Sequence, residues 1–183
     1  MKRSIIAFSG EIGSGKTYAA DILVRKYGYT KLSFATPLKK IARMFGFDVK
    51  AKEKVCPIWG IPPRDFLQIF GTEVCRDDLA HHLPQMEHLW VRLLEANMLV
   101  LQCDVVIDDL RFQDEELMLR HHGATIVRIG SAPASFVTRE EGSCGPSSHR
   151  SETYCPKADF ILPRLFNDNY MCALAKHEDE KIV

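Results

Sequence analysis

No stretch of this chain stays apolar for the roughly 20 residues that a membrane-spanning helix needs, so the sequence offers no membrane segment. Met1-Lys2-Arg3 runs straight into an apolar segment without the pattern of a cleavable signal, which leads to the expectation of a cytoplasmic protein. Nor is there an excess of charge of either sign. With 24 basic and 24 acidic residues, no global field draws the chain to nucleic acid or to a membrane, and anion binding falls to local arginines. The six cysteines (Cys56, Cys75, Cys103, Cys144, Cys155, Cys172) form no C-x-x-C pair and lie at no zinc spacing with histidine, so free thiols are expected. His81-His82 and His121-His122 diverge by about 100° on a helix and are read as surface rather than metal ligands. Internal repeats and the Asn-Lys-x-Asp pattern of a guanine-reading switch are also lacking. The length suits a single α/β domain over residues 1–183 that carries a mobile insert.

What is present starts at once. Ser4-Ile-Ile-Ala-Phe-Ser9 leads into Gly10-x-x-x-x-Gly15-Lys16-Thr17, the pattern of a phosphate-binding loop. Such a loop needs a strand to deliver it, glycines that let backbone N–H groups curl around phosphate oxygens, and a helix whose positive end faces the anion. Ile5 to Phe8 is the strand, and Ala19, Ala20, Leu23 and Tyr27 recur at helical spacing after Lys16. The pattern predicts that Gly10, Ile12, Gly13, Ser14, Gly15, Lys16 and Thr17 hold ATP phosphates, with Lys16 on the β- and γ-phosphates and the Thr17 hydroxyl on Mg²⁺. A dinucleotide fingerprint would require glycine where Tyr18 stands.

Further along, strands are expected at Tyr29–Phe34, Asp104–Asp108, Ala124–Ile129 and Ala158–Leu162. Helices are expected from Pro37 to Phe45 with Thr36 as N-cap, from Pro63 to Asp77, from Met86 to Leu99 and from Gln113 to His122. Residues 46–63 are rich in glycine and proline and read as a connection, whereas 130–148 carry the Ser/Gly/Pro composition of a lid. His177 to Lys181 reads as a solvated, frayed tail. Strands alternating with helices imply a parallel sheet of about five strands with helices on both faces, a three-layer α/β fold.

Two further constellations carry chemistry. Arg64, Gln68, Thr72 and Arg76 stand four apart on one expected helix, a polar stripe that reads either as a solvent face or as a binding surface. Two arginines suit forked recognition of phosphate, and a glutamine amide can read a base edge. Gly71 in mid-helix costs about 1 kcal/mol relative to alanine, which implies a close neighbour. The run Val105-Val106-Ile107-Asp108-Asp109-Leu110-Arg111 ends an apolar strand in two acids and an arginine, at the strand end where open α/β sheets bind ligands. Alternation sends Asp108 and Asp109 to opposite sides, so either could attend a metal through water and the other cap the next segment.

Taken together, Gly10 to Thr17, Ser33-Phe34-Ala35-x-Pro37-Leu38-Lys39, Arg64-x-x-x-Gln68-x-x-Gly71-Thr72-Glu73-x-x-Arg76, Trp90, Asp109-x-Arg111-Phe112-x-x-Glu115 and His149-x-Ser151-Glu152 resemble the deoxynucleoside monophosphate kinases of the phage and viral type. The resemblance implies a P-loop kinase fold with a monophosphate-binding helical region at about 36–100 and a lid at about 130–153. It implies transfer of the γ-phosphoryl group of Mg-ATP to a deoxynucleoside monophosphate. Arg64, Gln68, Gly71, Thr72, Arg76 and Trp90 would then form the monophosphate pocket, and Asp109, Arg111 and Glu115 would organise phosphates, base or metal. Lys16, Arg76, Asp109 and Arg111 would be the catalytic set, and members are often homodimers. Asp108, which doubles the acid before Asp109, departs from the pattern. Arg139, His149 and Arg150 are lid candidates on chemistry alone, for an arginine there could close onto the moving phosphate and exclude water.

A chemical fork separates the alternatives. An acceptor that is already a phosphate oxyanion needs no general base, whereas an alcohol does. The arginines favour the anion, which keeps phosphomevalonate open beside the nucleotide, while dephospho-coenzyme A and other small acceptors are the further kinase alternatives. A P-loop ATPase or switch is the remaining class. Gln68 and Trp90 lean toward a base, through amide hydrogen bonding and indole stacking.

Overall fold

Five short apolar runs become strands: β1 (Ile5–Ser9), β2 (Thr30–Leu32), β3 (Val105–Ile107), β4 (Thr125–Gly130) and β5 (Phe160–Pro163). They form one sheet in the order β2-β3-β1-β4-β5, and every pairing is parallel. This is a computed structural model that describes residues 3–130 and 154–182, with side chains described as far as residue 176. The chain forms two compact units, Met1–Ser33 with Asn97–Val183, and Phe34–Ala96.

The first unit contains the sheet. Ile6, Phe8, Val106, Val127, Ile129 and Leu162 pack with Ala19, Ala20, Ile22 and Leu23 of α1 (Lys16–Tyr27) and with Met171 and Leu174 of α7 (Asp168–Ile182). Residues of opposite parity, Ile5, Ala7, Val105, Ile107 and Ile126, are just as buried, so both sheet faces are covered, as parallel sheets require. α6 (Gln113–His121) links β3 to β4. Because β1 is central, its C-terminal end lies beside that of β3 and beside β4, the place where such sheets gather ligands.

The second unit is helical: α2 (Thr36–Met44), α3 (Pro63–Gln68), a π-helical segment (Ile69–Asp78), α4 (Leu79–His82), a 3₁₀ turn (Pro84–Met86) and the start of α5 (Leu89–Val100). One cluster joins Ala42, Phe47, Val49 and Cys56 with Phe66 and Leu67, and another joins Leu38, Cys75 and Trp90 with Ile41, Phe70 and Leu89.

Four expectations are corrected. The helix expected over 63–77 is α-helical only to Gln68 and then widens into π turns, a form usually confined to single turns and frequent at functional sites. The N-cap of α2 is Ala35, with Thr36 already the first helical residue and no side-chain cap bond. β2 is three residues long: Tyr29 is instead buried with its hydroxyl 2.8 Å from Ser4 Oγ, and the chain turns at residue 34. Finally, the acidic tail continues α7 to Ile182, because Met171, Leu174 and Ala175 anchor that helix and extension of an existing helix costs little per residue.

Candidate active site

β1 delivers the loop at the centre of the sheet, and Gly10, Gly13 and Gly15, all at positive φ, shape it. Gly10 has φ +134, and a Cβ there would lie 2.4 Å from the Ile129 carbonyl oxygen of the neighbouring β4, so no side chain fits. Gly15 caps α1 at φ +100 with no side-chain cap bond, which leaves the first-turn N–H groups directed at whatever occupies the loop. Lys16 folds back over this loop, its Nζ donating to the carbonyls of Gly10 at 2.7 Å and Glu11 at 2.6 Å. Burial and the nearby Arg111 guanidinium lower its pKa to about 8, against the opposing pull of Asp108, Asp109 and Glu11. Phe166 lies against Gly15 and pairs with the Tyr18 ring at 5.9 Å, while Arg164 is paired with Glu11.

The acids at the end of β3 separate as alternation requires. Asp108 Oδ2 accepts the Thr17 hydroxyl at 2.9 Å and the Lys31 ammonium at 2.9 Å. Asp109 Oδ2 accepts the Ser33 hydroxyl at 2.6 Å. Thus Asp108, the residue that departs from the family pattern, stands beside the loop threonine. The Lys31 pKa is raised, since burial lowers it but hydrogen bonds and charge from Asp108 and Asp21 more than offset this. Among the described residues no cluster of three or more His, Cys, Asp or Glu side chains is suited to hold a metal. A hydroxyl and a carboxylate 2.9 Å apart do fit Mg²⁺ of the kind held by one or two protein oxygens together with phosphates.

Glu115 is 2% exposed, and its Oε2 accepts the backbone N–H of Arg111 at 2.8 Å and of Phe112 at 3.1 Å. It therefore fixes the backbone from which Arg111 departs, at the start of α6, where a carboxylate also complements the helix dipole.

In the helical unit the stripe is covered unevenly. Thr72, Gly71 and Cys75 are buried and Arg64, Gln68 and Arg76 half-buried, whereas Ile69 and Val74, expected away from the stripe, are 49% and 38% exposed. The wider π turn means that residues four apart no longer follow one line. The close neighbour implied by Gly71 is Leu38, whose Cδ2 would lie 2.5 Å from a Cβ at that position. Trp90 is buried beside Leu38, and its Nε1 donates to the Gly71 carbonyl at 2.8 Å, a packing role rather than an open stacking surface. Arg64 pairs with Glu53. The lid candidates Arg139, His149 and Arg150 lie outside the described residues. Sequence reasoning missed Lys31, Asp21 and the hydrogen bond from Ser33, although Asp21 stands one helical turn after Thr17 and Lys31 is the central residue of β2.

No known family profile matches the chain. A curated relative is 33% identical over 144 residues, 68% of this chain and 72% of its own length: the "Putative deoxynucleotide monophosphate kinase" of Acanthamoeba polyphaga mimivirus. The chain belongs to this kinase family. Among solved structures the kinase is similar to an unliganded sugar kinase from Janibacter sp. HTCC2649, at 14% identity and a TM-score of 0.49, covering 98% of this chain and 95% of that one. A second, described as a "putative kinase" from Chloroflexus aurantiacus, is 11% identical with a TM-score of 0.46, covering 99% and 96%. At those scores neither likeness bears on the substrate.

Proposed function

We propose that this kinase moves the γ-phosphoryl group of ATP to a deoxynucleoside 5′-monophosphate, producing ADP and the deoxynucleoside diphosphate. The observation that carries the reading is the state of the two acids after β3. Asp108 is engaged by Thr17 and Lys31, and Asp109 by Ser33, so both act as positioning acceptors. That arrangement suits an acceptor that arrives as an oxyanion and needs no general base. The name of the mimivirus relative supports the nucleotide among anionic acceptors.

In this reading Lys16 leaves the Gly10 and Glu11 carbonyls for the β- and γ-phosphates, which enter the loop against the N–H groups of Gly13 to Thr17. Mg²⁺, when bound, neutralises charge on the phosphate oxygens. The Thr17 hydroxyl and, directly or through water, Asp108 are the residues that would hold it. Arg111, fixed by Glu115, stabilises charge on the moving group, while Arg64, Gln68, Thr72 and Arg76 of the helical unit hold the monophosphate. Trp90 supports Gly71 in that role.

The test is ADP release by purified protein with Mg-ATP against a panel of deoxynucleoside and ribonucleoside monophosphates, phosphomevalonate and dephospho-coenzyme A. Turnover with at least one deoxynucleoside monophosphate is expected, abolished by Lys16→Ala without loss of fold. Activity confined to another acceptor, or ATP hydrolysis indifferent to acceptor, would refute the reading.

A further inference from the structure

Asp108 is a largely enclosed carboxylate beside the loop, its side chain 11% exposed, and a buried anion requires a compensating charge. The structure shows which charge that is. Lys31 Nζ lies 2.9 Å from Asp108 Oδ2 and 3.0 Å from Asp21 Oδ1, so a single ammonium spans two carboxylates. Asp21 stands four residues after Thr17 on α1, which puts it one turn from the hydroxyl that also meets Asp108. It is the more open of the two acids, with a side chain 48% exposed. Thr17, Asp108, Lys31 and Asp21 thus form a chain of contacts leading from the phosphate loop outward.

We propose that Lys31 is a tethered counter-ion that neutralises Asp108 while the nucleotide site is empty and withdraws to Asp21 when a divalent cation arrives with the phosphates. The inference rests on the placing of the metal beside Thr17 and Asp108. Lys31 competes with a free divalent cation for Asp108, because two positive charges at one carboxylate oxygen repel. Asp21 determines how readily Lys31 yields, since it offers the ammonium a second partner that it already touches. Lys31 is accordingly a positioning residue, and its consequence is that the cation binds well only when triphosphate accompanies it. The separation between the partners is small enough for a change of side-chain rotamer, with no movement of β2.

The experiment measures Mn²⁺ affinity by electron paramagnetic resonance, with and without a non-hydrolysable ATP analogue, in the wild type, Lys31→Met, Asp21→Asn, the double variant and Asp108→Asn. Without nucleotide, Lys31→Met is expected to bind Mn²⁺ roughly three- to tenfold more tightly and Asp21→Asn more weakly by a similar factor. In the Lys31→Met background Asp21→Asn should have no further effect, since Asp21 acts through Lys31. Additive effects would show that both residues merely contribute to the local field, and would overturn the proposal. So would an unchanged affinity in Asp21→Asn, a variant at an exposed position that tests the idea even if Lys31→Met fails to fold. Asp108→Asn separates the two levels: unaltered Mn²⁺ affinity with nucleotide would remove the metal position and the proposal together. Weakened affinity there with no response to Lys31 or Asp21 would leave the metal position standing and refute the counter-ion alone.

Discussion

Lys16 is the residue on which the loop chemistry turns. Its ammonium bonds two carbonyls of its own loop, and its pKa is lowered to about 8 by burial and by Arg111. Triphosphate favours the charged form, so the bound pKa must exceed the free one. ATP affinity is therefore expected to be full below about pH 8 and to fall as the pH rises through the free value toward the bound one. At pH 8 binding should take up as much as about half a proton, read by calorimetry in buffers of different ionisation enthalpy. Lys16→Arg should abolish this uptake, because a guanidinium stays charged throughout. The loop's location was plain from the spacing of Gly10, Gly15, Lys16 and Thr17, as the motif is contiguous in the chain. Which acid stands beside Thr17 was not, because Asp108 and Asp109 are chemically identical neighbours and only the direction of β3 distinguishes them.

At the scale of elements, the start of α6 depends on one carboxylate. Glu115→Gln keeps the shape but weakens two charge-assisted bonds to backbone N–H groups, which should cost about 1–2 kcal/mol in denaturant unfolding. Turnover should fall with it, since Arg111 loses its fixed backbone; lost stability with kcat unchanged would mean that Glu115 only caps the helix. The π segment depends on Gly71. Gly71→Ala adds a methyl group that meets Leu38, an overpacking cost of about 1–3 kcal/mol set against about 1 kcal/mol of improved helix propensity. A net loss of up to about 2 kcal/mol is expected, and a double-mutant cycle with Leu38→Ala should show coupling between the two sites. That some atom sits close to Gly71 was legible from a glycine in a helical run. The π winding was not, because no residue pattern distinguishes π from α turns, and Leu38 and Trp90, which pack against Gly71 and Cys75 of the segment, lie outside it.

For the whole molecule, the two compact units predict separable ligand footprints. In hydrogen exchange, a non-hydrolysable ATP analogue should protect amides of residues 10–17 in the sheet-containing unit, where the loop N–H groups lie. A deoxynucleoside monophosphate alone should protect amides within residues 63–78 of the helical unit, where Arg64, Gln68, Thr72 and Arg76 stand. Protection by the monophosphate confined to the loop would overturn the division of roles. Alternating apolar strands and amphipathic helices were enough to specify a parallel α/β sheet, since buried β-runs joined by helices admit little else. They left the order β2-β3-β1-β4-β5 open, for β1 pairs with strands about 100 and 120 residues away in sequence, contacts on which local periodicity is silent. The phosphate loop and the sheet class thus follow from residues adjacent in the chain. By contrast, the meeting of Thr17, Lys31 and Asp108 and the packing of Leu38 and Trp90 against Gly71 are products of tertiary packing, because each depends on where separate elements bring their side chains together.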